Sequence, residues 1–155
     1  FGAQVGDKAD ADLHLALEFT SDSHTRMSLL NSIARNRETV LKDEDLALEA
    51  YRAICASKTN TGSSDYYYGI QGAARILTRR RVFDEALEIL DKVDVAKLRG
   101  TWAGSMLLAR AATLQAAGRT NEALETYRAV LTSESAMDGH KKAAQQAIKS
   151  LGATQ

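Results

Sequence analysis

The chain has 155 residues and a mass of 16.8 kDa, with 20 Lys and Arg balancing 20 Asp and Glu at a pI near 7.0, so its formal net charge is zero. That is the length of one ordinary domain, and a neutral balance disfavours a general binder of nucleic acid or anionic membrane. Hydrophobic content of 45% with 26% charged residues is a globular composition with no apolar run near the roughly 18 residues of a membrane span, and a single Cys excludes an internal disulfide.

Proline is absent, and Ala, Leu, Glu, Lys and Arg fill the periodic segments, so helix is expected throughout. In chain order the spacing predicts a first helix over Lys8 to Phe19 and a second over Ser23 to Leu41, built on Leu30, Ile33 and Ala34. A third runs from Glu44 to Ala56, with Asp43, Glu44 and Asp45 complementing the positive end of its dipole. After a loop over Ser57 to Ser64, Ser64 is the expected cap of a fourth helix, Asp65 to Arg80. The fifth covers Phe83 to Val93, the sixth runs from Thr101 to Gly118, the seventh from Thr120 to Leu131 and the eighth from Ala136 to Leu151. Eight helices with no strand pattern between them give an all-α fold.

Three of these helices carry one word. Ala47-Leu48-Glu49-Ala50-Tyr51-Arg52-Ala53-Ile54 is followed by Ala86-Leu87-Glu88-Ile89-Leu90-Asp91-Lys92-Val93 and by Ala123-Leu124-Glu125-Thr126-Tyr127-Arg128-Ala129-Val130, at intervals of 39 and 37 residues. A small residue at the first position lets two backbones approach, and Tyr51, Leu90 and Tyr127 four residues on fill the gap beside it. The preceding helices match too: Ile70, Ala73, Ala74 and Leu77 correspond to Leu107, Ala111 and Leu114. A period of this size marks repeated helix pairs.

On these residues the chain resembles the tetratricopeptide repeat family over about Met27 to Ser135, with closest agreement at Gly118, Ala123 and Tyr127. It departs from the family pattern in lacking the proline that closes each repeat, in Arg110 where an apolar residue is usual, and in one extra residue in repeat one. The resemblance implies a single domain over 1–155, an α-solenoid of antiparallel helix pairs in a right-handed superhelix. Its parts would be an N-terminal cap at 1–26, repeats at 27–61, 65–98 and 101–135, and a capping helix at 136–151. It also implies a non-catalytic module that docks a protein or peptide on the concave face of the first helices of each pair. Residues turned to that face are Asn31, Arg35, Tyr68, Gln71, Arg75, Thr78 and Arg79, with Leu108, Ala112 and Gln115 from repeat three. The expected partner-binding set is Asn31, Arg35, Tyr68, Gln71, Arg75 and Arg79. Guanidinium forks suit carboxylates, so the expected partner is an extended acidic peptide with Tyr68 supplying apolar contact. The chaperone-tail clamp known in some members is not expected, because Gly72, Ser105 and Ala109 stand where its polar residues would be. The helix from Ala136 is expected to cover Leu108, Ala112 and Ala116.

Catalytic signatures are sparse. His14, His24 and His140 do not stand at metal-ligand spacing, and there is no phosphate loop, nucleophile elbow or CxxC, so no enzyme, metal or cofactor is expected. Cys55 aligns with Leu131 and reads as a packed thiol, Trp102 reads as core, and Arg79-Arg80-Arg81 reads as a helix end complementing its dipole. The alternative function is a structural spacer or homo-oligomerisation domain, with exposed Tyr66 and Tyr67 making a self-contact. Opening at Phe1 without Met fits either a processed export product or an excised domain, so the compartment stays open between cytoplasm and periplasm.

Overall fold

The computed structural model describes residues 2–98 and 101–152, so Phe1 lies outside the described residues. Every regular element among the described residues is helical, and the chain divides into two compact units, Phe1–Ile76 and Leu77–Gln155.

The first unit contains α1 (Gly2–Phe19), α2 (Ser23–Asn36) running into a π-helical turn (Arg37–Leu41), α3 (Glu44–Cys55) and α4 (Ser64–Arg79) as far as Ile76. Asp22 caps α2 by accepting from the Thr25 N–H at 2.6 Å, and Asp43 caps α3 by accepting from the Leu46 N–H at 3.0 Å. The cap of α4 is Ser63 rather than Ser64, because Ser63 Oγ accepts from the Tyr66 N–H at 3.2 Å and its carbonyl accepts from Tyr67. α1 starts six residues before the expected Lys8, in a stretch whose apolar spacing is weak. Polar ties hold it: Arg37 grips Asp10 with two guanidinium nitrogens, Asn36 donates to the Gly6 carbonyl at 2.9 Å, and Arg26 donates to the Leu17 and Thr20 carbonyls at the end of α1. The core of the unit is Met27, Ile33, Ala34, Ala47, Leu48, Ala50, Tyr51, Ile54, Tyr66, Ile70 and Ala73, all buried. Cys55 is buried among them and forms no disulfide.

The second unit contains α5 (Phe83–Asp91), a 3₁₀ turn (Val95–Lys97), α6 (Trp102–Ala116), α7 (Thr120–Thr132) and α8 (Asp138–Gly152). α6 packs on α5, α7 and α8, and α7 on α8. Leu87, Ala111, Leu114, Ala123, Tyr127, Val130, Ala136 and Ala144 form its core cluster, against which Leu107, Leu108, Leu131, Ala147, Ile148 and Leu151 pack. Of the three residues expected under α8, Leu108 joins this cluster, while Ala112 and Ala116 are exposed because the helix reaches only part of that face. Arg110, the departure from an apolar position, forms an ion pair with Asp91 of α5.

One structural feature recurs at the repeat interval. Lys42, Arg81 and Gly118 adopt left-handed backbone with φ of 60°, 63° and 76°, and each stands five residues before a repeat alanine. After the second and third, the next N–H closes the helix end: Val82 donates to Leu77 and Arg119 to Leu114, both at 2.9 Å. After the first, Asp43 donates to Arg37 at 2.9 Å across one more residue. Ala34 to Lys42 is eight residues where Ala74 to Arg81 and Ala111 to Gly118 are seven, and the π-helical turn is how the helix absorbs the addition.

Ala86 and Ala123 are fully buried, so replacing either by Leu overpacks its interface and costs roughly 1 to 3 kcal/mol by urea denaturation. Gly118→Ala places a Cβ in the left-handed region and costs about 1 kcal/mol, whereas Arg81→Gly relieves that strain and gains about 0.5 kcal/mol. Equal stabilities for Gly118→Ala and the parent would contradict this account of the turn.

Candidate functional site

The candidate site lies wholly within the first unit. α3 crosses α4 at two glycines: a Cβ on Gly69 would stand 2.4 Å from Ile54 Cγ2, and one on Gly72 would stand 2.4 Å from Tyr51 Cζ. Both contacts are too short for any side chain, so the glycines let the helices close and let the Tyr51 ring lie flush against α4. Tyr51 is 3% exposed, and its hydroxyl donates to Glu38 Oε2 at 3.2 Å. The same oxygen accepts from Arg75 Nη2 at 2.5 Å. Burial is the main reason the Tyr51 phenol is pushed above its ordinary value, and the negative charge of Glu38 adds to it while Arg75 opposes it. The hydroxyl therefore stays protonated as the donor.

Above this layer α2, the π-helical turn, α3 and α4 enclose a cleft of about 390 Å³ lined by Asn31, Arg35, Glu38, Thr39, Tyr51, Tyr68, Gln71, Gly72 and Arg75. Five of the six residues expected to bind a partner are brought together here: Asn31, Arg35, Tyr68, Gln71 and Arg75. The sixth, Arg79, is exposed and falls in the second unit. Tyr68 is exposed, Arg75 keeps half of its side chain accessible, and Arg35 is exposed with no side-chain partner among the described residues. Asn31 is the buried member. Its amide nitrogen donates to the Asp65 carbonyl at 2.6 Å and to Asp65 Oδ1 at 3.2 Å, and because both partners are acceptors the amide orientation is fixed. Its Oδ1 is buried without a hydrogen-bond partner among the described residues.

Four lining residues escaped the sequence reading of the face: Glu38, Thr39, Tyr51 and Gly72. Glu38 and Thr39 lie within the π-helical turn that absorbs the extra residue of repeat one. The signal for Glu38 lies in repeat three: it stands four residues after Ala34 as Gln115 stands four after Ala111, and Gln115 Oε1 accepts from the Tyr127 hydroxyl at 2.8 Å. Tyr127 and Tyr51 share one place in the repeated word, held by Leu90 in the second, so two of the three words join a tyrosine to a polar group at the end of the preceding helix.

The remaining candidates organise differently. A cavity of about 500 Å³ in the second unit is floored by Leu131 and Ile148 and rimmed by Lys142, Gln145, Gln146 and Lys149, so it has an apolar floor but no converging set of polar groups. His140 stands beside Ser105, with Nε2 at 3.2 Å from Oγ, while its Nδ1 accepts from the Met137 N–H at 3.3 Å. A neutral imidazole accepting at Nδ1 carries its proton on Nε2, so it donates to Ser105 and does not act as its base. Tyr66 is 4% exposed and meets Tyr67 edge to face with centroids 6.2 Å apart, which corrects the expectation that Tyr66 is exposed: its ring is drawn into the core at the start of α4. Among the described residues no cluster of His, Cys, Asp or Glu has the grouping of a metal site, and no helix is long and apolar enough to cross a membrane.

No family model, no curated protein and no solved structure matches this chain.

Gly72→Ala drives a methyl into the Tyr51 ring and is expected to cost at least about 2 kcal/mol, measured by urea denaturation. Arg75→Ala, neutral for a solvated helix residue, is expected to cost about 1 kcal/mol instead, because it strips Glu38 of a partner. Tyr51, Tyr66 and Tyr127 all have phenols raised by burial. A raised folded value makes their stabilisation complete below the unfolded value near pH 10 and lost as pH rises through the folded values, so the protein should lose stability steeply above pH 10. Tyr51→Phe should flatten part of that loss, read as melting temperature against pH.

Proposed function

We propose that the chain is a non-catalytic interaction module of the tetratricopeptide type, an α-solenoid of about three helix pairs, and that the cleft of the first unit docks an extended acidic peptide from a protein partner. The observation that carries the reading is the convergence of Asn31, Arg35, Tyr68, Gln71 and Arg75 on one cleft of about 390 Å³. Two further facts support it. The left-handed turns at Lys42, Arg81 and Gly118 recur at the interval of the repeated word, as repeated helix pairs require. Asn31 and Gln71 stand three residues before Ala34 and Ala74, and Arg35 and Arg75 one residue after them, so α2 and α4 contribute the same two polar positions to the cleft.

The mechanism is shape with charge pairing. Arg35 and the free nitrogens of Arg75 meet carboxylates of the peptide, the exposed Tyr68 ring covers an apolar neighbour, and Gln71 and Asn31 meet its backbone. A second reading, a spacer or self-association domain, draws on Leu15 and Phe19, which lie one helical turn apart on α1 and are 54% and 83% exposed.

Affinity capture with the parent beside a folded Arg35→Glu, Arg75→Gln variant separates the readings. A partner kept by the parent and weakened at least about tenfold by the variant supports the docking site. Equal capture, or capture of the chain alone with a mass that rises with concentration, supports self-association. Arg79→Glu by itself tests whether binding extends past the cleft.

A further inference from the structure

We infer that the outer face of α1 docks in the groove between α7 and α8 of a second copy of this chain, so that copies join head to tail. The inference goes beyond the cleft and stands without it. The cleft is built by α2, the π-helical turn, α3 and α4, whereas the surfaces joined here lie on α1 and on α7 with α8. One side of α1 is taken up by its own unit, because Gly6 closes on Val40 and Leu41 and Asp10 is held by Arg37. On the other side, at 3.6 residues per turn, Val5, Lys8, Asp12, Leu15 and Phe19 fall within about 80° of one another. All five are exposed, Phe19 at 83%. Three large apolar side chains on one exposed stripe of a helix mark a face that meets another protein surface.

The groove in the second unit is the reciprocal surface. Its floor is Leu131 of α7 and Ile148 of α8, a seat for two apolar side chains one helical turn apart, as Leu15 and Phe19 are. Charge names the occupant. On α1, Asp7, Asp12 and Glu18 outnumber Lys8, and just past its end Asp22 and Arg26 cancel, so this face carries two negative charges in excess. Asp10 is left out of that balance because Arg37 already matches it, and His14 is turned to the same guanidinium. Both charges on the groove rim are lysines, Lys142 and Lys149. Beyond the rim Arg128 and Lys141 stand against Glu125, Glu134 and Asp138, which still leaves the groove positive by one. Two α1 faces set against each other would bring like charges together, so a symmetric contact is disfavoured and α1 takes the groove instead.

The test is sedimentation velocity of the full chain at concentrations from about 10 μM to about 1 mM in low salt, the range of a small interface. The mass of the parent is expected to rise above the monomer with concentration, and association should weaken at least about threefold when salt is raised to about 0.5 M. Two charge-reversed proteins then read the contact: Lys142→Glu with Lys149→Glu, and Asp12→Lys with Glu18→Lys. All four positions are exposed, so both proteins are expected to keep the parent's circular dichroism. Alone, each sets like charges against each other and should associate at least about tenfold more weakly than the parent. Mixed one to one, the groove of each meets an α1 of opposite sign, and association should return to within about threefold of the parent. Phe19→Ser, with every charge kept, should also weaken it at least about tenfold. A parent that stays monomeric throughout the range overturns the inference, as does a groove-reversed protein that associates like the parent or a mixture that recovers nothing. The Arg35→Glu, Arg75→Gln variant should associate as the parent does; loss of association there moves the contact to the cleft and overturns the inference too. None of the other outcomes touches the docking reading, which depends on capture by the cleft.

Discussion

The first unit depends on one close contact, the Tyr51 ring laid against the bare backbone of Gly72. It brings α3 and α4 together and buries a large aromatic that a small repeat needs for its core. The same approach carries the phenol hydroxyl to Glu38 and sets Glu38 opposite Arg75. A side chain at position 72 would separate the helices and break that chain of bonds, so packing and the polar floor of the cleft are one constraint.

The π-helical turn is the second element of this arrangement. In repeat three the first helix ends in an ordinary left-handed glycine turn, and its Gln115 gives Tyr127 a neutral acceptor. In repeat one the extra residue widens the helix before Lys42, and a carboxylate occupies the corresponding place. A neutral amide satisfies a tyrosine and stops there, but a carboxylate also recruits a cation from the next helix. This turns a packing position into a charged one and places it at the base of the cleft.

Much of the fold was legible because helices declare themselves locally. The apolar spacing, the Asp43 turn and Gly118 marked elements that the structure contains, and the repeated word fixed which helices correspond. The discrepancies sit where local signals are weak. The early start of α1 has little apolar spacing and is held by Asp10, Asn36 and Arg26 across long separations in the chain. Ser63 and Ser64 are equally good caps in sequence, and only the direction of the chain entering α4 chooses between them. Tyr66 reads as surface from its place at the start of a helix and is buried by the elements that meet there.

For the candidate site, the repeat interval projected Asn31, Arg35, Gln71 and Arg75 onto one face, and the chain brings these four and Tyr68 to one cleft. Sequence by itself determined the all-helical class, the interval of the helix pairs and which polar residues share a face, because helical periodicity and small-residue spacing are properties of neighbours in the chain. Only the tertiary structure decided that Glu38 compensates Arg75 and that Asn31 is buried with an oxygen unpartnered among the described residues. Those outcomes depend on how closely helices distant in sequence approach, and on burial and charge pairing that no local pattern encodes.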